Sequence, residues 1–148
     1  MGNELNAVKH VSFYKTIERW LAGDPNISTI AEYTGLKVVS TSKGECVVEF
    51  EPDIRFANLA GTLQGGMLGV VAEVALGIAF ATMLNKSENY TSLDLNINFV
   101  RPVKNEKLIF HGNVAYRGRR TGLVNCNVTN EDEKLVAQCR SIFMVFGS

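Results

Sequence analysis

Cysteine, proline, histidine and tryptophan are all scarce here: three, three, two and one among 148 residues. Cys46, Cys126 and Cys139 are odd in number, widely spaced and form no Cys-x-x-Cys pair. That excludes both a disulfide framework and a thiolate zinc site. His10 and His111 stand apart from any Cys or carboxylate at ligand or catalytic spacing, so no metal is expected. An excess of either charge is also missing. Fifteen basic and fifteen acidic residues cancel, which leaves nucleic acid without a general electrostatic attraction. The opening MGNELNAVKH lacks the apolar stretch of a secretory signal, and a cytoplasmic location is the expectation. Repeats, low-complexity tracts and linkers are absent, and the length suits one domain over residues 1–148.

What is present is patterned. Leu5, Val8, Val11, Tyr14, Ile17 and Leu21 recur every three to four residues and predict an amphipathic helix over 5–22, stopped at Gly23-Asp24-Pro25. A second, short helical turn follows near 28–33, making 1–34 a helical extension. From Gly35, GLKVVSTSKGECVVEFEP predicts two strands joined at Ser42-Lys43-Gly44. The second of them alternates Cys46, Val48 and Phe50 with Glu45, Glu49 and Glu51. Four further strands are predicted near 90–100, 107–117, 121–129 and 134–146. Helices segregated from antiparallel strands make an α+β fold.

Between the two sets of strands lies GTLQGGMLGVVAEVALGIAFATML, residues 61–84, whose one carboxylate is Glu73. A run of about 20 apolar residues meets the length of a membrane span. Its flanks are amphipathic strands, however, and its many small residues let a sheet approach closely, so a helix buried in protein is the better reading. No membrane partner is expected. A lone carboxylate inside such a helix costs several kcal/mol unless it is paired or protonated. Either Glu73 faces the surface or a structural partner, or it is an acid kept for chemistry. Gln64-Gly65-Gly66 stands at the predicted helix start, where unpartnered N–H groups and the helix dipole stabilise a developing negative charge. The plainer reading is a Gly-Gly entry into a packed helix.

Charge is uneven in one place. Residues 101–120 hold Arg101, Lys104, Lys107, Arg117, Arg119 and Arg120 against Glu106 alone. Such a cluster is either a solvated turn or a site for phosphate groups.

Asn58-x-x-Gly61-Thr62-x-Gln64-Gly65-Gly66, Glu73, the segment Ser92-Leu93-Asp94-Leu95-Asn96-Ile97 and Arg101-Pro102-Val103 occur in that order. With Gly112 to Gly118 and Lys134 to Gln138, they resemble the hotdog-fold acyl-CoA thioesterases of the phenylacetate-degradation and 4-hydroxybenzoyl-CoA thioesterase type, over about residues 35–146. The resemblance implies a long central helix wrapped by a curved antiparallel sheet. It also implies a homodimer joined edge to edge, often paired into a homotetramer, with acyl-CoA bound at the dimer interface.

By position, Glu73 becomes the general base or nucleophile, and Gly65 N–H polarises the thioester carbonyl from the opposite subunit. Asn58 orients substrate or water. Ser92 holds the attacking water, with Thr91 as the neighbouring candidate. Gly66 leaves room for substrate, and Arg101, Arg117 and Arg119 meet the coenzyme A phosphates. Coenzyme A enters as part of the substrate, and no separate cofactor is implied. Gln64 stands where most members carry His; an amide can still orient a carbonyl but cannot titrate.

The leading expectation is hydrolysis of an aryl- or medium-chain acyl-CoA. The other reading is a non-catalytic acyl-CoA binding protein. A hydratase would need a His beside the acid, and a DNA-binding regulator would need more than the N-terminal extension.

Overall fold

The computed structural model describes residues 13–24, 27 and 30–147. Leu5, Val8, His10 and Val11 of the predicted first helix lie outside the described residues. Within them the chain runs α1 (Phe13–Leu21), α2 (Ile30–Thr34), β1 (Lys37–Ser42) and β2 (Glu45–Phe50). A 3-10 turn (Ile54–Phe56) leads to α3 (Gly65–Ala81). Then come β3 (Asn89–Ser92), β4 (Asn96–Phe99), β5 (Leu108–Arg117), β6 (Thr121–Asn130) and β7 (Leu135–Phe146).

The seven strands form one antiparallel sheet in the order β1-β2-β5-β6-β7-β3, and β4 pairs with β7 farther along its length. The sheet curls around α3, which packs on β5, β2 and β6. This is the hotdog arrangement. The physical reason lies in α3 itself: it is apolar on nearly every side, so it folds only where a sheet can wrap it. Leu68, Val71, Ala72, Ala75, Leu76 and Phe80 are buried there, and each large side chain removed from water contributes about 1.5 to 3 kcal/mol. From the sheet, Val48, Phe110, Val124, Val128 and Phe143 complete the core.

Glycine sets how closely helix and sheet meet. A Cβ added at Gly112 would lie 2.6 Å from the Ala75 carbonyl oxygen, a backbone atom that cannot turn aside. One added at Gly122 would enter the Phe80 ring. That ring stacks on Phe143 at 5.0 Å and meets the edge of Tyr90 at 5.5 Å. The β1–β2 hairpin closes where expected, with Gly44 at φ +79, a conformation glycine adopts without strain.

One expectation needs correction. The single strand near 90–100 is two short strands, because the chain steps out at residues 93–95. There Ile142 N donates to the Asp94 carboxylate at 2.7 Å, and Ser141 Oγ donates to the Asp94 carbonyl at 2.7 Å. A side chain thus takes the place of a backbone acceptor in the ladder with β7. The first helix is present over the described residues Phe13–Leu21, within the predicted 5–22. The short helical turn expected near 28–33 is present as the helix Ile30–Thr34, stopped by Gly35 at φ +75. Among the described residues, no helix is long and apolar enough to cross a membrane.

Candidate active site

Every fourth residue along one side of α3 faces the strands β3 and β4. A Cβ at Gly65 would meet the Phe99 ring at 2.8 Å, one at Gly69 would meet Ile97 at 2.9 Å, and one at Gly77 would meet the Tyr90 hydroxyl at 2.6 Å. Residues four apart share a helix face, and glycine there lets two strands lie close. Glu73 is the one exception in this series. The break at 93–95 falls where the stripe presents Glu73, and Ser92 Oγ, at the end of β3, lies 3.4 Å from Glu73 Oε1. That is long for a hydroxyl–carboxylate hydrogen bond, and it joins the two residues without locking them.

Glu73 and Ser92 open onto a cleft of about 450 Å³. Thr91 lines the same cleft, but Ser92 is the hydroxyl that reaches the carboxylate. The enclosure expected for Glu73 is not met by a single protomer. Its side chain is exposed, because the strand that would cover it is interrupted at residues 93–95, while Gly69 and Gly77 on either side are buried. Nearby Tyr90 is half-buried and its hydroxyl is pushed up from its ordinary pKa, first by desolvation and then by the charge of Glu73.

The other expected residues gather at the start of α3. Asn58, Gln64, Gly65, Gly66, Phe99 and Arg101 line a second cleft of about 610 Å³. Gln64 is the N-cap, with φ −60 and ψ 124, and its side chain makes no capping bond. Gly65 and Gly66 are therefore the first helical residues, where N–H groups have no intrahelical acceptor. Nothing stands within 4 Å of a Cβ built on Gly66.

Asn58 is tied down. Its Oδ1 accepts from Ala60 N at 2.9 Å and Thr62 N at 3.1 Å, and its Nδ2 donates to Thr62 Oγ1 at 2.8 Å. It shapes the loop that delivers Gln64 and Gly65. From Gly65 to Glu73 the helix axis advances about 12 Å, so the two sets of residues form two separate clefts on one protomer.

The basic cluster of residues 101–120 is divided. Arg101 stands by the second cleft, its Nε donating to the Leu135 carbonyl at 2.9 Å. Arg117 lies near the far end of α3 and is engaged within the chain. It pairs with Glu88 at 2.8 Å, donates to the carbonyls of Gly118 and Arg119, and sits 5.6 Å over the Phe80 ring. The sequence could not show that this guanidinium turns inward. Arg119, in the same turn, stays exposed.

Other chemistries find less support. Burial pushes the Cys46 thiol up to about 12 and that of Cys139 to about 11, and raises Cys126 as well. Thiols so held are poor nucleophiles. His111 meets Glu45 at 3.8 Å on the exposed sheet face. Among the described residues no three His, Cys, Asp or Glu side chains are grouped to hold a metal.

A family model described as the thioesterase superfamily matches residues 60–137, the span from the loop before α3 into β7. The chain belongs to the thioesterase superfamily. Among curated relatives of this thioesterase is 1,4-dihydroxy-2-naphthoyl-CoA hydrolase of Listeria monocytogenes, 28% identical over 116 residues, covering 78% of this chain and 94% of the relative. A mutant of the phenylacetic acid degradation protein PaaI from Thermus thermophilus is 28% identical with a TM-score of 0.73, covering 78% of this chain and 96% of that one. The PaaI protein of the E. coli phenylacetic acid degradation operon shares the fold at a TM-score of 0.79 and 22% identity, over 93% of this chain and 98% of that one. In class, the protein is an acyl-CoA thioesterase.

Sequence reasoning missed the lining of the Glu73 cleft beyond Thr91 and Ser92. Ile17 and Trp20 of α1 line it, as do Gly77 and Tyr90. The four-residue spacing of Gly65, Gly69, Glu73 and Gly77 was the available signal for a strand-facing stripe. Nothing local connects α1 to that stripe.

Proposed function

We propose that this thioesterase hydrolyses an aryl- or medium-chain acyl-CoA at a site shared by two copies of the chain. Gly65 N–H of one protomer polarises the thioester carbonyl, and Glu73 of the other acts as general base on a water oriented by Ser92. The water oxygen bonds to the carbonyl carbon while its proton passes to Glu73. Collapse of the tetrahedral species breaks the C–S bond, and the coenzyme A sulfur takes up that proton.

The observation that carries this reading is the division of the site. The amide donors at the start of α3 and the carboxylate beside Ser92 open into different clefts of one protomer. A carbonyl touching both needs a second copy. The free edge of β3 and β4, flanked by exposed Leu93, Phe99 and Val100, supports pairing along that edge, since an unpaired apolar edge invites another strand. The same pairing would enclose Glu73. Ser92 beside Glu73 favours an attacking water over direct attack by the carboxylate.

Gln64 would orient the carbonyl through its free amide, and Asn58 would hold the loop that carries it. Gly66 leaves the approach to the helix start open. Arg101 and Arg119, both exposed, are the charges offered to the coenzyme A phosphates; Arg117 is withdrawn from that role because its charge is already met by Glu88. The aryl preference draws on the similar Listeria protein, whose name specifies a naphthoyl-CoA.

The test is release of free thiol from benzoyl-, phenylacetyl- and octanoyl-CoA, with Glu73→Gln as the control. Gln64 in place of His favours one other reading, an acyl-CoA binding protein without turnover. Tight binding of the same panel with no thiol release would decide for it.

A further inference from the structure

The cleft beside Glu73 has a roof built from outside the stretch that the family model matches. Its floor is α3, through Val74, Gly77 and Ile78, and its walls are Tyr90 and Phe143. Its roof comes from the N-terminal segment: Thr16, Ile17 and Trp20 on α1, then Ile27 and Ile30. All of these roof residues precede residue 60, where the family match begins. Ile17 is buried and Trp20 is half-buried.

We infer that Ile17, Trp20 and Ile30 determine which acyl group this enzyme takes, by closing the distal end of an apolar pocket that begins at Glu73. The inference rests on the hydrolase reading of Glu73. Glu73, Ser92 and the neighbouring Thr91 gather polar groups at one end of the pocket, and apart from Thr16 the rest is lined mainly by hydrocarbon and aromatic surface. A thioester carbonyl held at that end directs its acyl chain under α1. At about 450 Å³ the space falls within the ~300 to 1,000 Å³ of ordinary small-molecule pockets. It would leave an acetyl group largely uncontacted while burying a flexible apolar chain such as octanoyl.

Gly77 sets the inner limit. A Cβ there would meet the Tyr90 hydroxyl at 2.6 Å, so any side chain at 77 displaces the wall. Trp20 sets the outer limit. Being the chain's one tryptophan, it also reports on the pocket.

Two measurements test the assignment. Turnover of acetyl-, butanoyl-, octanoyl- and dodecanoyl-CoA is compared among wild type, Trp20→Ala and Ile30→Trp, each checked for native melting. Removing the indole should move the optimum toward dodecanoyl, and filling the pocket from position 30 should move it toward butanoyl. Each change should alter the ratio of kcat/KM values by about tenfold, the scale of a gained or lost methylene contact. Separately, Trp20 emission of the wild-type protein is followed on adding octyl-CoA, a thioether that cannot be hydrolysed, or coenzyme A alone. A response to octyl-CoA and none to coenzyme A supports the roof. Turnover with an unchanged chain-length profile, or equal Trp20 responses to both compounds, overturns it. A selective Trp20 response with no turnover of any acyl-CoA supports the pocket while refuting hydrolysis, so the two readings fail separately.

Discussion

Ser92 Oγ lies 3.4 Å from Glu73 Oε1, and this contact ties the end of an edge strand to the middle of the central helix. It gives the carboxylate a loosely held hydroxyl neighbour on one side and leaves the other side open. Two substitutions separate these roles. Glu73→Gln keeps the shape and removes the base, so kcat should fall about 10²- to 10⁴-fold. Ser92→Ala removes one weak hydrogen bond, and kcat should fall only about 5- to 10-fold with KM nearly unchanged. Steady-state kinetics on one good acyl-CoA would check both.

Position 65 allows a cleaner subtraction than most oxyanion donors. Gly65 is the first helical residue, where proline is well tolerated, and Gln64 before it already has the extended backbone that a following proline requires. Gly65→Pro therefore removes the N–H while α3 still forms. It does crowd Phe99, an exposed ring that can turn, and Gly65→Ala crowds it similarly while keeping the donor. The expected result is a loss of about 10²- to 10³-fold in kcat for the proline variant and a much smaller one for alanine. Equal losses would assign the effect to Phe99.

Arg117 and Arg119 should part company. Arg119→Ala is expected to raise KM for acyl-CoA at unchanged kcat, with the effect fading at high salt. Arg117→Ala should instead lower the melting temperature, because it strips Glu88 of its partner and uncovers the Phe80 ring.

Glu88 adds a pH dependence. The Asn85 N–H, followed by the Arg117 guanidinium, holds its carboxyl below the ordinary value. A depressed pKa means that the unfolded chain binds the proton more readily. The stabilisation is therefore present above the unfolded pKa of about 4.3 and lost as pH falls through the lower folded value. Melting curves from pH 6 to 3 should show a shallower acid loss for Glu88→Gln than for wild type.

Gly112→Ala tests the packing. The added methyl would press on the Ala75 carbonyl oxygen at 2.6 Å, and backbone on both sides has little room to yield. A loss of about 1 to 3 kcal/mol is expected in chemical denaturation, although alanine is otherwise preferred to glycine in a strand.

Much of this architecture can be read from residue order because it depends on local periodicity. The alternation of Cys46, Val48 and Phe50 marks β2, and the apolar run from Gly65 marks the enclosed helix. What escapes the sequence depends on distant partners. The break at Asp94 exists because Ile142 donates to its side chain, while Leu93 to Asn98 on their own alternate like a continuous strand. The exposure of Glu73 escapes for the same reason: the gap beside it is the break at 93–95, which nothing within α3 announces. Arg117 reads as one more charge in a basic turn until Glu88 and Phe80 are brought beside it. The roof formed by Trp20 depends on where α1 docks, and its own amphipathic pattern gives no address for that.

The division of the site between protomers is tested most directly by mixing two inactive variants. Glu73→Gln and Gly65→Pro are each expected to be nearly inactive as pure dimers. A mixed dimer carries one site with both native groups and one with neither. After unfolding and refolding the two together in equal amounts, activity should return to roughly a quarter of wild type, the yield of random pairing in a two-fold dimer with one good site per mixed pair. Mixed dimers that form and stay inactive would contradict a catalytic centre built from Gly65 of one chain and Glu73 of the other.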